Sequence, residues 1–290
     1  MCLTSIFYYI DEYCKHFNAA TKSKAIKYKL QKRSRAASLF AREIITILVY
    51  YHISGFKTFK HFYLLSPELK SAFPTMPSYN RFIELQERVV LELGLLVKIF
   101  GSHASDGITY IDSFPLKVCH PKRIHSHKVF KGIAARGKTS VGWFFGLKLH
   151  LVVTSEGEVI DFLLTPGNIA DNNANVLTSL LSSVQGKVYG DKGYIVNKEL
   201  FQMLYSQGAH LITKLRKNMR NTFMDLTDKL LLAKRGMIES IGSLLKTACN
   251  IEHSRYRSPK TLLLNVFSGI MAYVFRPNKP SIRKKMVIAA

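Results

Sequence analysis

The residues of this chain that are most suited to catalysis are three carboxylates that lie far apart in the sequence. Asp112 lies in an apolar segment, Asp191 in a Gly-rich segment and Glu239 in a segment with helical periodicity. Arg235 and Lys246 accompany Glu239, and at about 100° per residue all three side chains fall within roughly 40° of arc on a helix. An acid between two cations on one helix face can hold a metal ion beside a phosphate.

Three converging carboxylates repel one another unless cations lie between them. In a strongly basic chain such a cluster predicts bound Mg²⁺ or Mn²⁺, which prefer hard oxygen ligands. Two such ions about 4 Å apart can activate an attacking hydroxyl and stabilise the leaving oxygen of an in-line displacement at phosphorus. We therefore predict that Asp112, Asp191 and Glu239 are the catalytic and metal-binding residues. Arg235, as a fork, and Lys246, as a point charge, are predicted to bind phosphates.

Each of these residues also has a plain structural interpretation. A lone Asp in a strand or a Glu on a helix is more often solvated or ion-paired, and Arg235 with Glu239 could form only a weak surface pair. The combination favours a site, because Asp112 and Asp191 both lie in apolar or Gly-rich surroundings where a solvating acid gains little.

Alternating apolar residues predict a mixed sheet after Gly107. Period-two patterns separated by tight turns predict five strands, at residues 108–118, 143–154, 158–164, 188–189 and 210–214. Asp171 is expected to cap a helix, and residues 198–207 form another. Three strands in a meander, then alternating strands and helices, describe an α/β fold with a mixed five-stranded sheet flanked by helices. Asp112 then lies in the first strand and Asp191 at the end of the fourth, so the two can converge.

Residues 1–103 have helical periodicity and predict an all-helical domain that binds DNA. Helices are expected over residues 39–51 and 78–96, the second capped by Ser78. A helix-turn-helix would place residues 79–81 at the start of a recognition helix. The alternative is a helical bundle that only positions the rest of the chain. We predict three parts: a helical domain at 1–103, a catalytic domain at 104–275 and a basic tail at 276–290.

The composition implies a polyanionic partner. Lys and Arg number 42 against 19 Asp and Glu, which gives a formal net charge of +23 over 290 residues. This excess favours nucleic acid, with an anionic membrane surface as the second candidate. The longest apolar stretch, residues 261–275, is too short for a membrane span, so we expect a buried helix and no membrane partner. Four scattered cysteines and a start without a secretory pattern predict a cytoplasmic protein.

Positive charge is also concentrated between the first two predicted strands. Residues 117–138 contain no acid, and we predict that this basic loop contacts DNA through Lys117, Lys122, Arg123, Lys128, Lys131, Arg136 and Lys138. The alternative is a zinc site in the same loop, with Cys119, His120, His125 and His127 as ligands. Their spacing lacks the ligand pairs of a structural zinc site. Residues 21–35 form a further basic run, either a solvated arm or a phosphate-contacting segment.

Several motifs together resemble the DDE transposases of bacterial insertion sequences, most closely insertion-sequence group nine-eight-two. The resemblance spans residues 38–275. It is carried by the Ile-Asp-Ser motif at 111–113, the Thr-Pro-Gly-Asn turn at 165–168 with Asp171, the Tyr-Gly-Asp-Lys-Gly-Tyr segment at 189–194, and the spacing of Arg235, Glu239 and Lys246.

This resemblance implies an RNase H-like core in which Asp112, Asp191 and Glu239 bind two Mg²⁺ or Mn²⁺ ions. It implies cutting of double-stranded DNA at the element's inverted ends and transfer of the freed 3′-hydroxyl into target DNA. A homo-oligomer is expected because two ends must be held together, and the protein would be nucleoid-associated when bound to DNA. Related families have Tyr where this chain has Leu232. The alternatives are a catalytically inactive DNA-binding remnant and a nuclease of the same core that does not join.

Overall fold

The structure is a computed structural model whose described residues form two compact units. The described residues are 1–27, 38–101, 106–139, 142–215, 219, 223–253 and 256–282. The cationic side chains of the predicted segment 21–35 and of the tail after Ile282 lie outside this part. Unit 1 comprises Met1–Ile99, Ala248–Ile251 and Ser258–Pro277, and unit 2 comprises Phe100–Thr247, Glu252–Arg257 and Asn278–Ala290.

Helices and strands alternate only in the second half of the chain. The described residues contain the α-helices α1 (Leu3–Lys27), α2 (Ala41–Tyr51), α3 (Phe59–Leu65), α4 (Pro67–Ala72), α5 (Tyr79–Gln86), α6 (Val90–Gly101), α7 (Ala174–Leu181), α8 (Lys198–Ser206), α9 (Leu226–Ala233), α10 (Gly236–Thr247) and α11 (Pro259–Val274). The strands are β1 (Gly107–Cys119), β2 (Ala135–Thr139), β3 (Gly142–Thr154), β4 (Val159–Pro166), β5 (Gly186–Gly190) and β6 (Ala209–Thr213).

Unit 1 is helical throughout its described residues. The predicted helix over residues 39–51 is α2, whose isoleucines are buried. Ser78 caps α5 as predicted, since its hydroxyl accepts a hydrogen bond from the backbone N–H of Arg81. The single helix predicted over residues 78–96 is instead α5 and α6, separated by a 3₁₀ turn at Glu87–Val89. The DNA-reading role of residues 79–81 stays a prediction.

The last helix, α11, belongs to unit 1. It packs against α2, and the ring of buried His52 bonds to Ser268 Oγ of α11 at 2.9 Å. The prediction of a buried helix over residues 261–275 is therefore confirmed. The compact units differ from the predicted domains here, because the sequence assigned this helix to the 104–275 domain. No helix in the described part of the chain has both the length and the apolar character to cross a bilayer.

Unit 2 is built on a mixed sheet with the strand order β2-β3-β1-β5-β6, and β4 also pairs with β3. Strand β1 runs antiparallel to β3 and parallel to β5, and β5 runs parallel to β6. Tyr110 of β1 bonds to the backbone of Leu231 in α9, whereas its neighbour Ile111 packs into the core with Leu177 and Leu204 of α7 and α8. Helices therefore cover both faces, which is the RNase H-like α/β architecture that the sequence predicted.

The sheet has six strands, not the five predicted. The additional strand, β2, lies within the predicted basic loop and pairs with the start of β3. Its alternation was hidden because its inward-facing residue is Gly137 rather than an apolar side chain. A Cβ on Gly137 would lie 2.3 Å from the backbone oxygen of Gly167 and 2.4 Å from the ring of Phe144. Glycine is thus required for the close approach of this edge strand.

The role predicted for Asp171 as a helix cap is wrong. Helix α7 begins at Ala174, and its cap is Asn173, whose side chain accepts from the backbone N–H of Val176 at 3.3 Å. Asp171 lies before the cap, in the turn that follows β4, and its carboxylate binds other partners. Asp171 therefore lies close to the start of a helix, as predicted, but Asn173 is the residue that caps it.

Candidate active site

Asp112 and Asp191 are brought together by the pairing of two parallel strands. The ladder between β1 and β5 pairs Tyr110 with Tyr189, and each acid lies two residues beyond its tyrosine. Neighbouring strands are about 4.8 Å apart, and residues two apart project to the same face. The two tyrosine rings pack with centroids 5.6 Å apart on that face. The register therefore brings Asp112 and Asp191 to the same end of the two strands, and the charge of Asp191 raises the pKa of Asp112.

Glu239 reaches this site because α10 packs unusually close to β1. A Cβ on Gly242 would lie 2.1 Å from the ring of Phe114, so only glycine allows this approach. Phe114 lies two residues after Asp112 and hence on the same face of the strand. Glu239 lies one helical turn before Gly242, on the side of the helix that faces the acid. The close packing of α10 against β1 thus brings Glu239 near Asp112, and the charge of Glu239 raises the pKa of Asp112.

Arg235 joins two of the three acids. Its guanidinium donates to Glu239 Oε1 at 3.0 Å and lies 3.4 Å from Asp112 Oδ2. The side chains of Arg235 and Asp112 are only 13% and 14% exposed, whereas that of Glu239 is 62% exposed. The plain interpretation of Arg235 and Glu239 as a weak surface pair therefore does not describe this arginine, which is mostly buried and shared.

Asp112 has the most perturbed electrostatics of the site. Its pKa is raised to about 6, mainly by burial, and the charges of Asp191 and Glu239 act in the same direction. The guanidinium of Arg235 and the backbone N–H of Ser113, at 2.9 Å from Oδ1, act in the opposite direction on this pKa. Asp191 is held differently, since its Oδ1 accepts from the backbone N–H of Gly193 at 2.6 Å at the start of a 3₁₀ turn.

The chemistry of the donor set fits a divalent cation. All three side chains offer hard carboxylate oxygens, and the Asp112 carboxylate is left partly uncompensated in a desolvated position. The guanidinium of Arg235 lies against two of these carboxylates and supplies the positive charge between them. Among the residues that the structure describes, no group of three or more His, Cys, Asp or Glu is arranged as a metal site. Neither the three acids nor the alternative zinc set in the basic loop is therefore preformed as a metal site in this structure, and metal binding by the acids stays a prediction.

Lys246 lies at the far end of α10 and is held by other partners. Its ammonium donates to the backbone oxygen of Pro115 at 2.6 Å and pairs with Glu252 at 2.9 Å. Its side chain is 24% exposed. The structure thus places Lys246 near β1 and pairs it with a carboxylate that the sequence analysis did not identify. Its phosphate-binding role stays a prediction.

A polar network behind the acids was missed by the sequence analysis. Asp171 Oδ1 accepts from Ser113 Oγ at 2.7 Å and from Lys148 Nζ at 3.0 Å. A Cβ on Gly193 would lie 2.9 Å from Asp191 Oδ1 and 3.4 Å from Asp171 Oδ2, so both carboxylates lie next to this glycine. Asp171 thus contacts Ser113, the neighbour of Asp112, and also lies near Asp191. The available signal was Lys148, a cation in the middle of an otherwise apolar strand.

His150 lies on the same strand. It is fully buried, and its Nε2 bonds to Thr165 Oγ1 at 2.9 Å. Burial lowers the pKa of His150 to about 4.

The basic loop is exposed at the edge of the sheet. Strands β1 and β2 supply three of the predicted DNA-contacting residues and the connection between them supplies the rest, and all have exposed side chains: Lys117, Lys122, Arg123, Lys128, Lys131, Arg136 and Lys138. Within the described residues no ion pair joins any of these side chains to a carboxylate. Their charges are thus available to an external polyanion.

Comparison with known protein families identifies the family of this chain. A family model described as "Transposase DDE domain" matches residues 102–259, which is more than half of the chain. The matched region contains the three acids, Arg235, Lys246 and the basic loop. A search of curated proteins finds no match. The assignment to insertion-sequence group nine-eight-two stays a prediction.

Proposed function

Because the chain belongs to the transposase DDE domain family, we propose that it cuts double-stranded DNA at the ends of a mobile element and joins the freed 3′-hydroxyl to target DNA. The proposal is supported by the electrostatics of Asp112, whose pKa is raised by the charges of Asp191 and Glu239, and by Arg235, whose guanidinium contacts both Asp112 and Glu239. A structural role would not require three acids to gather where one of them is desolvated.

We assign the metal-binding and catalytic roles to those three acids. When bound, Mg²⁺ or Mn²⁺ ions would activate the attacking hydroxyl and stabilise the leaving oxygen at phosphorus. The protein's own part is to hold the carboxylates in place: the parallel strands fix Asp112 and Asp191, and the Gly242 contact fixes the helix that carries Glu239. When Asp112 and Glu239 bind a metal ion instead of Arg235, the guanidinium becomes available to bind a non-reacting phosphate oxygen.

The basic loop is assigned to DNA binding. Seven exposed cations lie at the end of β1, in β2 and on the connection between these strands, at the edge of the catalytic sheet, and the described residues supply no carboxylate partner to their side chains. Phosphate neutralisation releases counterions, so we expect affinity for DNA to fall steeply with salt. Exchange of Lys128 and Lys131 for Gln is expected to reduce the slope of log affinity against log salt by roughly two.

The matched control for this loop is Lys198→Gln, an exposed cation on α8 outside the loop. Its salt slope should equal that of the unaltered protein. A slope that is equally steep in the Lys128 and Lys131 variant would remove these residues from the interface.

The proposed chemistry is tested by cleavage of DNA that carries the element's ends. Asp112→Asn, Asp191→Asn and Glu239→Gln should each reduce Mg²⁺-dependent cleavage by about three orders of magnitude or more, since residues that act as a unit fail together. DNA affinity should change little. Glu199→Gln, an exposed acid on α8, is the matched control and should cleave normally. Retained cleavage in any of the three site variants removes that residue from the site.

Two rivals make different predictions in the same assay. An inactive DNA-binding remnant would retard end-bearing DNA but break no strand with Mg²⁺ or Mn²⁺. A nuclease without joining activity would cleave, but precut ends and a plasmid target would give no covalent joint product. We further propose that the active form on DNA is a homo-oligomer, which the mass of the complex with paired ends would test.

A further inference from the structure

Trp143 is an exposed aromatic residue of unit 2 that has no part in the proposed catalytic site. It is the single tryptophan of the chain, and 63% of it is exposed at the start of β3. Tryptophan buries a large apolar area and is normally highly buried in a folded domain. An exposed indole at the edge of a sheet therefore indicates a binding surface better than it indicates packing.

The neighbours of Trp143 are cations. The register of β2 with β3 pairs Lys138 with Trp143 and Arg136 with Phe145, so these four side chains project to one face. Lys138 Nζ lies 5.7 Å from the centre of the indole ring. Arg136 and Lys138 are exposed, whereas Phe145 is buried beneath the ring of His127. The indole is thus the open part of an aromatic surface with a positive rim.

The strand pair that carries Trp143 is firmly seated. Its opposite face is closed by Phe144, which is 2% exposed and packs over Gly137 without room for a Cβ. A backbone hydrogen bond from Gly167 to Gly146 at 3.0 Å holds the next turn against the same strand. The indole is therefore presented on a rigid element, which limits the entropy lost when a ligand stacks on it.

We propose that Trp143 is a stacking platform for an unpaired nucleobase, with Arg136 and Lys138 holding the phosphates on either side of that nucleotide. Every base has a π-face that an aromatic side chain can stack on, but in a paired duplex these faces are covered by the neighbouring bases. The positive rim complements a nucleotide chain and would repel a basic partner. This inference rests on the DNA-binding role proposed for the basic loop.

The position of Trp143 separates this site from the acids. Leu151, the register partner of Asp112, lies about 26 Å further along β3 at roughly 3.3 Å per residue. At roughly 3.4 Å per nucleotide the stacked base would lie about seven or eight nucleotides from a phosphate at the acids. The platform would therefore hold a strand away from the reacting bond, for example a released single strand or a kinked step in bound DNA.

The single tryptophan provides a direct readout. With the full-length protein in metal-free buffer, selectively excited indole fluorescence is followed during titration with a single-stranded oligonucleotide, with a fully paired duplex, and with a duplex that carries one unpaired nucleotide. Stacking quenches indole, so the first and third DNA molecules should quench it strongly and the paired duplex weakly. Equal quenching by all three, or none by any, would overturn the proposal.

Two substitutions of Trp143 separate stacking from general binding. Trp143→Leu should weaken single-strand binding by about fivefold to a hundredfold, and Trp143→Phe by less, because a ring remains. Binding of the paired duplex should change by less than about twofold. The matched control is Tyr205→Leu, since Tyr205 is 59% exposed on α8, outside the loop. Equal losses with single-stranded and paired DNA would assign Trp143 a structural or backbone-binding role instead.

The outcome is independent of the cleavage chemistry. Asp112→Asn retains Trp143 and should show the same selective quenching as the unaltered protein. A protein that fails to cleave yet quenches selectively would contradict the proposed function and support the platform. Normal cleavage by the Trp143→Leu variant, with unchanged single-strand affinity, would support the proposed function and contradict the platform.

Discussion

Two largely buried carboxylates of unit 2, one on a helix and one on a strand, have pKa values shifted in opposite directions. Asp228 of α9 accepts hydrogen bonds from Lys187 Nζ and Tyr189 Oη, both at 2.7 Å. Although burial alone would raise the pKa of Asp228, these donors hold it below its ordinary value. Asp112 has one backbone donor and a longer contact with Arg235, and burial raises its pKa to about 6.

The opposite pKa shifts indicate that Asp228 stabilises the fold, whereas the charge of Asp112 is suited to binding a ligand. Asp228 is satisfied by groups of the protein itself, so its charge is favourable in the folded state. Asp112 is desolvated and near two further acids, so its charge is unfavourable until a cation arrives. Stability is given up where function needs it, as is common at catalytic sites.

The largest effect on stability is expected at Asp228. Asp228→Ala leaves the buried hydroxyl of Tyr189 and the ammonium of Lys187 without their carboxylate, and should lower the free energy of unfolding by about 2–3 kcal/mol. The Lys187 side chain is 40% exposed, so solvent screening keeps the loss at the lower end. Urea unfolding at constant m-value measures it. A loss below about 0.5 kcal/mol would mean that Asp228 does not stabilise the fold and would contradict the difference drawn between it and Asp112.

Asp112→Asn should move stability in the other direction. Since the pKa of Asp112 is about 6 in the folded state against an ordinary 3.8, the folded state binds more protons between these values. Stability of the unaltered protein therefore falls as pH rises from about 4 to 6. The amide removes this dependence and should add about 1–2 kcal/mol at neutral pH, and little at pH 4. Destabilisation at neutral pH would contradict the comparison.

A smaller effect is expected at Arg235, the partner that Asp112 does have. The guanidinium lowers the pKa of Asp112, so Arg235→Gln should raise that pKa. The acidic limb of the pH profile of Mg²⁺-dependent cleavage should then move to higher pH, because metal ligands must be deprotonated. Arg235→Lys keeps the charge and serves as the control. An unmoved limb in Arg235→Gln would show that the pair seen at 3.4 Å has no electrostatic effect.

Local patterns in the sequence predicted most of the fold. Alternation and the turn before Gly157 located β3 and β4, and the Ser78 cap located the start of α5. Strand β2 was missed because its packing residue is Gly137, which carries no apolar signal of its own. Its exposed cations were assigned to a loop for the same reason.

The sequence singled out candidate members of the site but not their partners. Asp112, Asp191 and Glu239 stood out by motif and spacing, and the register of β1 and β5 agrees with the proximity of Asp112 and Asp191. The Gly242 contact, the Lys246 pair with Glu252 and the Asp171 network depend on tertiary packing between residues far apart in sequence. No local rule encodes such contacts.

Mn²⁺ binding measured by calorimetry tests the central claim most directly, because it reports on the three acids without DNA or cleavage. The unaltered protein should bind Mn²⁺, and Asp112→Asn, Asp191→Asn and Glu239→Gln should each weaken that binding by about tenfold or more. Glu199→Gln should bind as the unaltered protein does. Equal Mn²⁺ affinity in the unaltered protein and all three site variants would show that these acids do not form a common metal site.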